Sequence, residues 1–203
     1  YDEPFSDSSQ IPTFLVSQLA KKNVSVSLSG DAGDELFCGY NRHQISNNIW
    51  KKISLLPAPL RKLIGTSLTS LSPQKWNKLS KWIPGSDSFN SFGDKIHKGA
   101  NVLDASSLND LYLKLVSHWE NPSDIVLNSK EPATIITDHK FEFQATESQQ
   151  KMMLLDGLTY LPDDILVKVD RAAMGVSLET RIPYLDHRVV EFAWKIPQSL
   201  KVR

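Results

Sequence analysis

Apolar residues recur every three or four positions along most of the chain, and every two in one short stretch near its start. Ile11, Phe14, Leu15 and Leu19 lie with Gln18 on one mostly apolar helical stripe. Pro12 fits a first turn there, and Lys21-Lys22-Asn23 closes the end. Val24, Val26 and Leu28 then alternate with Ser25 and Ser27, which predicts a strand. The strand stops at Ser29-Gly30, a loop of small and acidic residues follows, and Asp34-Glu35-Leu36-Phe37 predicts the first turn of a second helix. One strand makes no sheet. The order helix, strand, acidic loop, helix therefore reads as half of an α/β unit whose other strands are expected upstream.

From Gln44 to Glu120 the pattern changes to short helices cut by Pro57, Pro59, Pro73 and Pro84, with segments at Leu60–Leu71, Gln74–Ile83 and Leu108–Trp119. Trp50, Trp76, Trp82 and Trp119 sit among Lys and Leu and are expected in core packing. Pro84–Gly93 and Asn121–His139 carry the composition of loops. Glu142–Leu161 predicts a longer helix ended by Pro162, after which Asp163-Asp164 caps a helix over Ile165–Gly175. Asp186–Lys195 predicts a last helix before Pro197. The expected organisation is an α/β portion over 1–43, a helical region over 44–141 and a second helical region over 142–203.

Composition narrows the function classes. The 203 residues are 40% hydrophobic and 23% charged, ordinary values for a globular chain. Lys+Arg and Asp+Glu balance at 23 each, which removes the electrostatic case for a nucleic acid or a membrane surface as partner. No apolar run approaches the ~18 residues that a transmembrane helix needs. The single cysteine, Cys38, excludes an internal disulfide and points to a reducing, cytoplasmic setting. The chain opens Tyr1-Asp2-Glu3-Pro4 with no Met, so a fragment or a processed chain is expected.

The candidate chemistry lies in two stretches. In Ser29-Gly30-Asp31-Ala32-Gly33-Asp34-Glu35, small residues let a ligand approach the backbone closely. Three carboxylates there would repel bare phosphate, and Mg²⁺ is the natural mediator. The same acids also suit an ordinary helix start, and the local sequence leaves both readings open. The second stretch, Leu161–Asp186, sets Lys168 among Ile165, Leu166, Val167 and Val169, with Arg171 on the same helix face as a cradle for phosphate. Spacing alone favours a plain surface pair of Asp164 with Lys168, and a turn braced by Glu179 and Arg181. The histidines His43, His97, His118, His139 and His187 show no metal-ligand spacing and read as surface or helix-end residues. Cys38 reads as a small buried residue and Tyr40 as a packed aromatic.

Leu28–Tyr40 (LSGDAGDELFCGY), Leu161–Asp186 with its Glu-x-Arg-x-Pro-x-Leu-Asp ending, and Tyr1–Thr13 resemble the synthetase domain of glutamine-hydrolysing asparagine synthetases. The resemblance implies an α-rich α/β fragment of an adenine nucleotide α-hydrolase-like domain. It implies ATP and Mg²⁺ as cofactors, and aspartate, ATP and ammonia as substrates. Aspartate would be activated as β-aspartyl-AMP, and ammonia from glutamine would displace AMP. Ser29 and Gly30 match the pair that contacts ATP, and Asp34 the carboxylate that binds Mg²⁺-pyrophosphate. Asp31 matches the acid tied to the adenylate, and Glu179 a carboxylate near the acyl-adenylate pocket. Lys168 is the candidate phosphate-facing lysine within these residues, although the family's lysine is expected beyond Arg203. Ala32 and Cys38 stand where many relatives have Gly. The family's Ser-Gly-Gly-x-Asp-Ser loop and its N-terminal glutaminase domain have no match here, so the chain alone is expected to be inactive. A homodimer remains open. So do an adenylating enzyme that forms another amide or a lactam, and a helical interaction module whose acidic loop is a cap.

Overall fold

A computed structural model describes residues 5–80 (45–47 by backbone alone), 91–117, 119, 124–126, 128–138 and 147–202. It divides into two compact units. The first joins residues 1–44 to residues 143–203, and the second spans 45–142. The first is thus discontinuous in sequence.

In the first unit, α1 (Gln10–Lys21) leads to β1 (Val26–Leu28) and then to α2 (Gly33–Phe37). Helix α3 (Asn41–Ile53) follows, and the division between the units falls inside it. The chain re-enters the first unit before α8 (Ser148–Leu158), α9 (Val167–Met174), β2 (Glu179–Arg181), α10 (His187–Lys195) and α11 (Gln198–Lys201). Strand β2 is one the sequence did not disclose. It pairs parallel to β1 with Val26 opposite Glu179, Ser27 opposite Thr180 and Leu28 opposite Arg181. The loop reading of Glu179–Arg181 is therefore corrected: the segment Glu-Thr-Arg has no apolar alternation and is a strand because β1 is there to pair with. Helix α1 packs along α9, where the ring of Phe14 lies against Gly175.

Pro162 does not end a helix. Leu161–Leu166 is a π-helical turn running straight into α9, with Pro162 in its first turn, where the missing N–H costs no bond. Asp163 and Asp164 lie inside this turn rather than at a new cap. The helix expected over Asp186–Lys195 is α10, with the Asp186 carboxylate accepting from the Arg188 N–H as its N-cap, but it is not the last, since the short α11 follows Pro197. The apolar stripe of α1 stays largely open: Ile11, Leu15 and Leu19 are exposed.

The second unit packs α4 (Ala58–Thr69) and α5 (Pro73–Ser80) on α6 (Phe92–Leu103), which also meets α7 (Leu108–Val116). Helix α6 falls within the expected helical region, although its first two residues lie in the stretch Pro84–Gly93 read as a loop. Leu111 and Tyr112 are fully buried, and the buried Arg61 donates from Nη1 to the Ala105 carbonyl at 2.5 Å. Trp76 is half-buried and its indole donates to the Leu68 carbonyl at 2.8 Å. Trp119 is exposed, against the core reading, and Trp82 lies outside the described residues. Among the described residues no helix is long and apolar enough to cross a membrane.

Candidate functional site

The pairing of β1 with β2 brings the two motif stretches together from opposite ends of the chain. The Ser29 N–H continues the ladder to the Arg181 carbonyl at 2.9 Å. The acidic loop leaves the carboxyl end of β1, and Ile182–Leu185 leaves the carboxyl end of β2. That is the edge of a parallel sheet where ligands are ordinarily held. Ala32 packs with Leu161 and Ile165 in a small core flanked by Tyr160, Leu166 and Ile182. On the other side Gly33 lies against the Tyr184 ring, which meets Phe37 edge-on at 5.9 Å.

Within the loop the Ser29 hydroxyl donates to the Asp31 carboxylate, a short bond that closes the turn. Gly30 is open, with nothing within 4 Å of where a Cβ would stand. Asp34 is exposed at the first turn of α2, and its carboxylate folds over Gly39, so a side chain at position 39 would collide with it. Mg²⁺ carried by nucleotide phosphates needs one or two protein carboxylates. Among the described residues no three His, Cys, Asp or Glu side chains gather as a metal cage.

The remaining predicted residues sit as follows. Lys168 is buried, and its ammonium donates to Asp7 Oδ2 at 2.6 Å. Burial pushes the Asp7 carboxyl up, but bonds from Lys168 and Ser9 outweigh this and hold it down at about 2. Spacing could not reveal this partner, 161 positions away. Glu179 is exposed at the start of β2, level with Val26, and accepts from Arg181 Nε at 2.7 Å. About 10 Å of strand, at 3.3 Å per residue, separates it from Ser29.

Sequence reasoning missed a polar cluster beneath the loop. Asp156 on α8 is fully buried; its Oδ2 accepts from Arg42 Nε at 3.0 Å and meets His43 Nε2, and its Oδ1 forms an ion pair with Arg42 Nη2 at 2.9 Å. His43 is also fully buried, in the first turn of α3, so of its two readings the surface one is corrected and the helix-end one stands. The Arg42 guanidinium lies 3.9 Å from the Tyr40 ring centre and 4.7 Å from that of Tyr160. The Tyr40 hydroxyl donates to Glu35 Oε1 at 2.9 Å. Burial raises the Glu35 carboxyl above its ordinary range; the Tyr40 bond opposes this, and the negative charges of Asp156 and Asp34 add to it. Cys38 is buried as expected, and burial pushes its thiol up. The one sequence signal for the cluster was Asp156, an acid in the apolar half of a predicted helix.

Comparison with known proteins finds the family model described as asparagine synthase matching residues 1–203. Asparagine synthetase [glutamine-hydrolyzing] 1 of Bacillus subtilis (strain 168) is 31% identical over 204 residues, covering 100% of this chain and 30% of that protein. A putative asparagine synthetase [glutamine-hydrolyzing] of Mycobacterium bovis is 30% identical over 207 residues, covering 99% of this chain and 28% of its own length. One from Methanocaldococcus jannaschii is 60% identical over 43 residues, 21% of this chain and 8% of that protein. The chain thus spans less than a third of these relatives. No solved structure matches it.

Proposed function

This chain belongs to the asparagine synthase family, and from that premise we propose that the full-length protein converts aspartate to asparagine with ATP, Mg²⁺ and ammonia drawn from glutamine. The observation that carries the reading is the meeting of the two motif stretches across β1 and β2, with both following loops at the carboxyl edge. In this reading the residues form part of an adenine nucleotide α-hydrolase-like domain.

An aspartate side-chain oxygen attacks the α-phosphorus of ATP, and pyrophosphate leaves with the electron pair of the broken P–O bond. Ammonia then attacks the acyl carbon, AMP leaves, and a proton is lost from nitrogen. The open backbone at Gly30 and the Ser29 hydroxyl receive the nucleotide. Asp34 holds the Mg²⁺ that travels with the phosphates, where negative charge develops on pyrophosphate. Asp31, fixed by Ser29, faces the adenylate. Glu179 serves the acyl-adenylate pocket, and Lys168 supplies positive charge, kept in place by Asp7.

Aspartate-dependent pyrophosphate release by the full-length protein tests this. Asp34→Ala is expected to lower release by at least about a hundredfold, the scale of one lost electrostatic group at a transition state, and to leave glutamine hydrolysis largely intact. Equal loss of both activities, or of neither, sinks the assignment. Release with another carboxylic acid in place of aspartate keeps the adenylation and moves the substrate.

A further inference from the structure

We propose that Asp156 is a positioning residue for the acidic loop, acting through Arg42 and Tyr40 on Glu35 and so on the pose of α2. The inference rests on the Mg²⁺·ATP reading of that loop and concerns residues to which that reading gives no role. Helix α2 has five residues and is bounded by left-handed Ala32 and Cys38. A helix that short cannot hold its own direction by backbone bonds, so tertiary contacts must set it. Its first turn carries both Asp34 and Glu35.

The contacts form a chain without a gap. On α8, which packs against α2, the Asp156 carboxylate accepts from Arg42 Nε, forms an ion pair with Nη2 of the same guanidinium, and meets His43 Nε2. Arg42, so fixed, lies against the face of Tyr40, and Tyr160 and His43 meet that ring edge-on at 5.8 Å and 5.4 Å. The ring is held on three sides, and its hydroxyl is delivered to Glu35. A buried carboxylate paired with a guanidinium and an imidazole is a costly way to fill a core, since apolar side chains of similar volume often serve stability as well or better. Its use here fits a demand for one geometry.

The test is calorimetric titration of Mg²⁺·ATP into the full-length protein as wild type, Asp156→Asn, Tyr40→Phe and the double variant. Unfolding midpoints and pyrophosphate release are recorded alongside. Asp156→Asn keeps the size of the side chain but loses the charge that pairs with Arg42. Tyr40→Phe keeps the ring and loses the bond to Glu35. Each single variant is expected to weaken binding by about fivefold or more, and the double variant no further than the weaker-binding single, because both cut one path. The turnover number should change less than the Michaelis constant for Mg²⁺·ATP. A purely structural Asp156 would instead lower the unfolding midpoint and the active fraction at an unchanged dissociation constant. That result, or losses that multiply in the double variant, overturns the proposal. If Asp156→Asn does not fold, Arg42→Gln takes its place: weaker binding supports the proposal, and an unchanged dissociation constant overturns it. A wild type that binds no Mg²⁺·ATP overturns the reading of the loop itself, and the inference falls with it.

Discussion

Ala32 and Cys38 bracket α2 with backbone in the left-handed region, at φ 68° and 60°. A residue with a Cβ pays roughly 1–2 kcal/mol there, which is the physical reason glycine suits both positions. Replacing Ala32 by Gly relieves that strain. It also returns about 0.4–1 kcal/mol of disorder to the unfolded chain, and it removes a buried methyl worth ~0.8 kcal/mol. These effects nearly cancel, so Ala32→Gly is expected within about 0.5 kcal/mol of wild type in urea denaturation. Ala32→Val, branched at Cβ, should lose about 2–3 kcal/mol. A loss as large in Ala32→Gly would mean that the methyl, not the backbone, decides this site. The loop's chemistry was legible because Gly, Asp and Glu cluster within seven positions of one another. His43 was not legible. Its partner Asp156 lies 113 positions away, and local sequence cannot distinguish a buried imidazole from an exposed one.

At the scale of elements, α5 and α6 approach so closely that a Cβ on Gly93 would strike the Pro73 carbonyl. The Gly93 N–H also donates to Asn77 Oδ1 at 2.7 Å. Gly99, on the same helix, faces open space. Gly93→Ala should therefore cost about 3 kcal/mol or more by forcing backbones apart. Gly99→Ala should stabilise by roughly 0.5–1 kcal/mol through helix propensity alone. Thermal unfolding of the two variants separates packing from propensity; equal shifts would refute the close approach. Helices with a periodic apolar face, such as α1 and α10, were readable to within a few residues. Strand β2 was not, because Glu-Thr-Arg carries no strand signal of its own. The π-helical turn at Leu161–Leu166 was also hidden. Proline usually interrupts a regular helix, and only the packing of Leu161 and Ile165 on Ala32 reveals that the chain widens and carries on.

At the scale of the molecule, the first unit is assembled from the two ends of the chain, with the second unit inserted between them. Asp7 and Lys168 fasten these ends, and Lys21 adds a bond from its ammonium to the Ser177 carbonyl at 2.6 Å. The Asp7 carboxyl titrates at about 2, below the ordinary ~3.9 for an aspartate. Its contribution to stability is therefore complete above about pH 4 and is lost as the pH falls through 2. Asp7→Asn should lower the unfolding midpoint at neutral pH and flatten its decline between pH 4 and pH 2. An unchanged slope in that interval would show that the pair is not what fastens the ends.

The join between distant ends has a further consequence, in the order in which the chain is made. Asp7 leaves the ribosome 161 residues before Lys168, and at ~5–20 residues per second that is a wait of roughly ten to thirty seconds. Throughout it β1 is without β2, its partner among the described residues, and it carries exposed Val26 and Leu28 close to the largely open stripe of α1. An unpaired apolar edge of that kind is a template for joining other chains. A factor that shields nascent chains has its opportunity there, after β1 has emerged and before β2 arrives to close the sheet.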